Sequence, residues 1–385
     1  MRLGYVCQYF TTQYRGPATN LMYELSKEID VVNYSSVEKH MQYYSGGVHD
    51  DRSERLNERL LLRRYDVSFK LSGLLYPSNL YGMLVADKPD IVQSEEYYQP
   101  ATRQAFKYAN EEGIPFIFNH RGSDDRTRSL RERLFFRYAN PSSRRLVEES
   151  DAIICLSEAG KKVLCGIFPK AESKVTIIPN SIDPLMYAGA DGFSFRREHN
   201  IPDTNPLLLC VARLHPQKRI DLLVEAFAEV KRQVPDAVLC VVGPWFPSEK
   251  RKIDSRIAAL KLNDVVFTGP IPNEKVKDAY DAADVVALTS EYEPFGYCLL
   301  EAMSLSKPTV AFGIGAVPEI IENGVTGYHV PFPDVKALAD KTAHIFKHRT
   351  LAKRMGSQAL KRVEDRFHIR DNSTKLTRLL RQLKE

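Results

Sequence analysis

The chain has no apolar run approaching the ~20 residues of a membrane-spanning helix, and Met1 to Phe10 reads directly into a strand, not into a secretory leader. A soluble, cytoplasmic chain is expected. Cysteines are sparse: Cys7, Cys155, Cys165, Cys210, Cys240 and Cys298 mostly lie in apolar, strand-like runs, with no Cys-x-x-Cys and no histidine partner at metal spacing. This argues against a disulfide scaffold or a zinc site and predicts buried, reduced thiols. Charge is also nearly balanced. With 54 basic and 49 acidic residues the net value is only +5, too little to argue for a nucleic-acid partner. There is no short-period repeat and no low-complexity tract. Gly313-Ile314-Gly315 lacks the further glycine spacing of a dinucleotide fingerprint and comes late in the chain, which leaves a nicotinamide-dependent oxidoreductase poorly supported.

What the chain does have is alternation. Short β-rich runs alternate with helical patterns in both halves, as in parallel sheets wound with crossover helices. In the first half strands are expected at Leu3 to Tyr9, Ile91 to Ser94, Pro115 to Asn119, Asp151 to Leu156 and Val175 to Ile178. In the second they are expected at Leu207 to Val211, Val238 to Val242, Val265 to Thr268, Val285 to Leu288, Thr309 to Phe312 and Gly327 to Val330. Between the two sets, Pro179-Asn180-Ser181-Ile182-Asp183-Pro184 opens a polar, weakly periodic stretch, a natural linker. At 385 residues the chain is long enough for two cores. Two doubly wound α/β domains are expected, over 1–183 and 184–365, with ligands bound at the carboxyl ends of their strands. A helical segment from Leu351 to Leu383 breaks near Phe367-His368, and its last part, about 366–385, carries an apolar stripe (Leu376, Leu379, Leu380, Leu383) able to pack on a neighbour.

The most informative stretch runs from Thr289 to Val330. A strand ends, Glu293-Pro294-Phe295-Gly296 makes a turn, and a buried helix opens near Cys298. Backbone amides freed at that helix start, together with the macrodipole, favour an anionic phosphate. Glu293 precedes the turn, and Glu301 lies about 7.5 Å along the helix axis from Gly296. Carboxylates only accept hydrogen bonds, so both suit sugar or ribose hydroxyls. For either glutamate alone, a helix-capping or solvated role is the plainer reading. The pair, with Gly315-Ala316-Val317-Pro318-Glu319 downstream, favours a sugar-nucleotide site.

At these residues the chain resembles the retaining glycosyltransferases of family 4, which carry two glutamates separated by seven residues around a Pro-Phe-Gly. The resemblance implies the GT-B fold, two Rossmann-like domains facing across a cleft: an acceptor-side domain over 1–183, a nucleotide-sugar donor domain over 184–365, and a last helix returning to the first. It implies sugar transfer from a nucleoside diphosphate of UDP or GDP type to an acceptor hydroxyl, on a lipid-linked or polysaccharide acceptor, with the anomeric configuration retained. Arg213 and Lys218, in Ala212-Arg213-Leu214-His215-Pro216-Gln217-Lys218, match the family's diphosphate clamp, although Arg219 follows where the family often has glycine. A planar fork and a compact ammonium also suit such a clamp chemically. Gly243 in Val242-Gly243-Pro244 and Gly269 in Phe267-Thr268-Gly269 allow close backbone approach, and the family places the base near the second. Gly16 stands where the family usually has a glycine pair, so the contact expected from that loop, Gln13 to Asn20, is weakened. His120, in Asn119-His120-Arg121-Gly122, matches a histidine that touches the donor sugar. No Asp-x-Asp occurs, so a metal-independent site without cofactor is expected. On this reading Glu293, His120, Arg213 and Lys218 are the catalytic candidates, and Gly16, Gly243, Thr268, Gly269, Pro294, Phe295, Gly296 and Glu301 the nucleotide-sugar contacts. A nucleotide-sugar epimerase and an inactive glycan-binding protein remain as alternatives.

Arg121 to Arg145 holds eight arginines against Asp124, Asp125 and Glu132. At helical spacing Leu130, Leu134 and Tyr138 share a face, with Arg128, Arg131 and Arg137 away from it. This reads either as a basic amphipathic helix at an anionic membrane surface or as a helix packing its apolar stripe on the sheet with solvated arginines outside. Tyr97, Tyr98 and the Tyr43-Tyr44 pair add rings that suit sugar stacking or a plain amphipathic surface.

Overall fold

The computed structural model describes residues 1–10, 16–38, 51–71, 73–122 and 130–385, without the side chains of residues 130–133. Gln13, Tyr14, Arg15, Tyr43, Tyr44, Arg128 and the side chains of Leu130 and Arg131 lie outside the described residues. The chain divides into two compact units, Met1–Asn180 with Ile369–Glu385, and Ser181–His368.

The first unit runs β1 (Arg2–Val6), α1 (Pro17–Leu25), β2 (Asp30–Ser36), β3 (Ser53–Arg55), β4 (Leu60–Tyr65), β5 (Val67–Leu71), β6 (Leu74–Pro77), α2 (Leu80–Asp87), β7 (Ile91–Glu95), α3 (Pro100–Glu112), β8 (Phe116–His120), α4 (Leu130–Glu149), β9 (Ala152–Cys155), α5 (Glu158–Ile167) and β10 (Val175–Ile177). Among the described residues its main sheet has the order β10-β9-β8-β7-β1-β2-β4-β3, parallel except where β3 pairs with β4. β1 lies between β2 and β7, so the winding direction reverses there. Open α/β sheets place ligand sites at such switch points, beyond the carboxyl ends of the strands. β5 and β6 form a separate hairpin.

The second unit runs α6 (Gly192–Glu198), β11 (Leu207–Val211), α7 (Ile220–Gln233), β12 (Val238–Val242), α8 (Pro247–Ala259), β13 (Val265–Gly269), α9 (Val276–Ala282), β14 (Val285–Leu288), α10 (Tyr297–Ser304), β15 (Thr309–Phe312), α11 (Val317–Ile320), β16 (Gly327–Val330), α12 (Val335–Lys347) and α13 (Arg349–Arg366). Its described sheet is parallel throughout, in the order β13-β12-β11-β14-β15-β16. The switch point falls between β11 and β14. All four residues of β14 are buried, and each of its Val and Leu side chains contributes about 1.5–3 kcal/mol, which fixes the place from which the following turn departs. The last helix, α14 (Ile369–Lys384), belongs to the first unit: it lies against α1, and Leu376 and Leu380 join a core with Leu3 and Leu25.

Both units therefore have the doubly wound α/β architecture expected from the alternation. Two expectations need correction. β1 stops at Val6 instead of running to Tyr9. In α4 the inward face is Phe136, Ala139, Ser143, Leu146 and Val147, whereas Leu134 and Tyr138 are 59% and 76% exposed. Leu134 and Tyr138, two members of the stripe chosen at helical spacing, thus point outward, because the apolar set beginning at Phe136 has the better fit to the core.

Candidate functional site

In the second unit, the turn after β11 and the turn after β14 are laced together at the switch point. The Glu291 amide donates to the Gln217 carbonyl at 2.9 Å, Gln217 Nε2 donates to the Tyr292 carbonyl at 2.8 Å, and Thr289 Oγ1 donates to the Lys218 carbonyl at 2.9 Å. These bonds bring Lys218 to Glu293: Nζ stands 2.7 Å from Oε2, and Ser290 Oγ donates to the same oxygen at 3.0 Å. Glu293 is only 8% exposed. Burial works against the Lys218 charge, but the carboxylate pulls the other way and holds the ammonium above its ordinary pKa. Arg213 is half-buried at the end of β11, in the same turn. Arg219, which departs from the family's glycine, sits at φ 46° and is tied by ion pairs to Asp221 and Glu291. Its left-handed backbone accounts physically for a glycine at that position elsewhere.

Gly296, at φ 93°, caps the start of α10, and Phe295 turns inward against Phe367. Gly315 is required by close approach: a Cβ there would lie 2.1 Å from the Glu293 carbonyl oxygen. Glu301, one turn into α10, is gripped by two tyrosines. Tyr187 donates to Oε1 at 2.9 Å and Tyr280 to Oε2 at 2.8 Å. Burial pushes the Glu301 carboxyl above its usual range, and the two hydroxyls offset part of that rise. Each carboxylate oxygen retains capacity for a second donor. Burial, and then the charge of Glu293, push the Cys298 thiol up, so it is not a ready nucleophile.

Gly243 admits the neighbouring strand turn: a Cβ would lie 2.3 Å from the Ala212 carbonyl oxygen, so packing against that turn requires the glycine. Thr268 Oγ1 turns to the Gly269 carbonyl at 2.8 Å, and the Trp245 ring lies over Gly269.

In the first unit, Gly16 is the N-cap of α1 in extended backbone, φ −72°, so it shows no demand for glycine. His120 ends β8 and is fully buried, with Nδ1 3.2 Å from Glu96 Oε2. The Glu96 carboxyl would be raised by burial, but the His120 ring, by its charge when protonated and by its hydrogen bond, and the Arg121 amide bring it below the usual value. Glu95 beside it takes the Tyr5 hydroxyl and the Arg121 guanidinium. Tyr97 is buried and donates to Asn140 Oδ1 at 2.9 Å, a core role in place of an exposed stacking ring.

The second unit thus gathers Lys218, Glu293, Pro294, Phe295, Gly296 and Glu301 around one switch point, with Arg213 in the adjoining turn. Ser290, Tyr187, Tyr280 and Glu96 were not singled out from sequence. For Glu96 the acidic doublet after an apolar strand was an available signal. For the tyrosines there was none, since each is one among 19.

Residues 192–362 match the family model described as glycosyl transferases group 1, and residues 41–184 that described as glycosyltransferase family 4. The chain is 29% identical over 222 residues to the N-acetyl-alpha-D-glucosaminyl L-malate synthase of Bacillus anthracis, a match covering 57% of each protein. It is 27% identical over 223 residues to the D-inositol 3-phosphate glycosyltransferase of Nocardia farcinica, covering 56% of this chain and 49% of that one. The chain therefore spans about half the length of the curated relatives it matches. Among solved structures, the Anabaena HepE protein in complex with UDP is similar with a TM-score of 0.78 at 19% identity, covering 99% of this chain and 100% of that one. The sucrose-phosphate synthase of Thermosynechococcus elongatus has a TM-score of 0.79 at 19% identity, covering 99% and 98%. No helix among the described residues is long and apolar enough to cross a membrane. The two family models, matching residues 41–184 and 192–362, identify the chain as a member of glycosyltransferase family 4, the group 1 glycosyl transferases, and structural likeness over nearly the whole length shows the GT-B fold.

Proposed function

We propose that the chain is a retaining glycosyltransferase that moves a hexosyl group from a UDP sugar to an acceptor hydroxyl. The observation that carries this reading is the buried Lys218–Glu293 pair at the switch point, laced beside Arg213 and the start of α10. Arg213, Lys218 and the α10 amides hold the diphosphate. Their hydrogen bonds strengthen as the glycosidic bond breaks and charge collects on the leaving oxygen, which lowers the barrier. Glu293 accepts from a sugar hydroxyl. Glu301, whose two oxygens each keep one place for a donor, fits the vicinal hydroxyls of a ribose. The anomeric carbon–phosphate oxygen bond breaks as the acceptor oxygen bonds to that carbon on the same face, and the acceptor proton passes to the departing phosphate oxygen. His120 meets a sugar hydroxyl.

UDP is favoured over GDP because HepE, which shares the fold, was solved with UDP and with UDP-glucose. A lipid-linked acceptor at the inner face of the membrane is supported by α4, where Leu134, Arg137, Tyr138, Arg144 and Arg145 are all exposed along one side. No step uses a metal, so chelation should leave the rate unchanged. The direct test is calorimetric titration with UDP, GDP and ADP, followed by turnover with the corresponding sugars and assignment of the product anomer by NMR. Absence of binding to any nucleoside diphosphate, or an inverted product, overturns the reading.

A further inference from the structure

At the carboxyl end of β7, Glu96 adopts φ 56°, a left-handed backbone conformation in a residue other than glycine. Such a conformation costs about 1–2 kcal/mol and persists only where the surroundings enforce it. They do so here: its amide donates to the Asn119 carbonyl at 2.9 Å, and its carbonyl accepts from the Gln99 amide at 3.3 Å. The result is a carboxylate turned inward, 5% exposed, with both oxygens engaged. Oε1 accepts from the Arg121 backbone amide at 2.9 Å, and Oε2 stands 3.2 Å from His120 Nδ1. The adjacent Glu95 takes different partners, Tyr5 and the Arg121 side chain, so the two acids do not compete. His120 leans against Tyr97, their ring centroids 5.9 Å apart, and its other nitrogen, Nε2, is buried with no protein hydrogen-bond partner among the described residues. An unmet buried nitrogen costs about 1–3 kcal/mol and calls for a function.

We infer that Glu96 is a positioning residue for His120, fixing the imidazole proton on Nδ1 so that the neutral ring offers Nε2 as a hydrogen-bond acceptor to a sugar hydroxyl. A carboxylate can only accept, so whichever charge state the ring has, Nδ1 carries a proton. The strained backbone aims that carboxylate. This inference rests on the glycosyltransferase reading of His120.

The test is Glu96→Gln. The Arg121 amide can only donate, so it claims the single oxygen of the new side chain. That leaves the NH2 group facing Nδ1, which must then accept, and the proton moves to Nε2. Spectra of 15N-labelled histidine, recorded where the ring is neutral and assigned by loss of the signal in His120→Ala, should show an Nδ1–H tautomer in the native protein and Nε2–H in E96Q. With the acceptor lost, kcat should fall about 10²-fold, while UDP affinity stays unchanged because the residues proposed to hold UDP lie in the other unit. If E96Q fails to fold, Glu96→Asp keeps the charge but withdraws it from Nδ1, and the same fall in kcat is expected. A ring that keeps Nδ1–H in E96Q, or a switched tautomer with kcat and KM unchanged, overturns the inference. If no nucleotide sugar is turned over by the native protein, the glycosyltransferase reading fails instead, and the tautomer spectra still decide whether Glu96 sets the ring.

Discussion

Replacing Lys218 by methionine keeps the length of the side chain and removes its charge, which leaves the Glu293 carboxylate with the Ser290 hydroxyl but without its counter-ion. The side chains of the pair are 18% and 10% exposed, so solvent replaces little of what is lost. Removing one partner of a fully buried pair costs about 3–5 kcal/mol, and the residual exposure brings the expectation to about 2–3 kcal/mol. For a unit of this size that lowers the melting temperature by roughly 5–10 °C. Adding Glu293→Gln removes the stranded charge, so the double variant should recover most of the lost stability, with a coupling term well above the error of a double-mutant cycle. Turnover should not recover. Lys218 is proposed to stabilise charge on the leaving diphosphate, and both variants should lose about 10²–10³ in kcat. Calorimetry on the four proteins of the cycle and steady-state kinetics on a UDP sugar make the comparison. A K218M variant within 0.5 kcal/mol of the native protein, or a double variant no more stable than the single, would refute the buried-pair reasoning. Recovery of kcat with stability would show that Lys218 acts only structurally.

Glu301→Gln tests the tyrosine grip. The native carboxyl is held above its unfolded pKa, so the folded state binds the proton more tightly. Its contribution to stability is therefore fullest below the unfolded carboxyl value and is lost as pH rises through the raised one. The neutral variant should flatten that slope in melting curves taken across the acid range, gain stability at neutral pH, and bind UDP more weakly by calorimetry. An unchanged slope would mean that another group sets it. Gly315→Ala forces a Cβ to within 2.1 Å of the Glu293 carbonyl and places alanine at φ 51°. The backbone of Glu293 must shift by about 1 Å, at a cost of about 2–5 kcal/mol and about 10²-fold in kcat. Denaturant unfolding and turnover assays check both figures, and a native-like G315A would show that the contact relaxes without moving Glu293.

The central strands of the second unit, β11, β12, β14 and β15, were legible because they are buried on both faces and read as nearly continuous apolar runs. Those of the first unit were read less completely. β2 has Asn33, Ser35 and Ser36 inside, where Cys7, Arg64 and the Gln8 carbonyl bond them, and β4 carries Arg63 and Arg64, paired to Asp87 and to Ser35. Buried polar groups of this kind break the apolar pattern, and their partners are 24 to 29 positions away along the chain. The same reason hid Glu96 from a linear reading: its value lies in a backbone conformation and in partners at the end of another strand.

The sequence by itself determined the α/β class, the strand-turn-helix around Glu293 to Glu301, and the family, because these depend on local periodicity and on residue types at short fixed spacings. Only tertiary structure decided which charges meet. The parallel order of β11 beside β14 brings Lys218 to Glu293 across 75 positions, and the fold delivers Tyr187 to Glu301 across 114. It also decided which face of α4 turns inward and that His120 is held by Glu96. Hydrogen bonds and ion pairs act over about 3 Å in space, and no spacing along the chain encodes that distance.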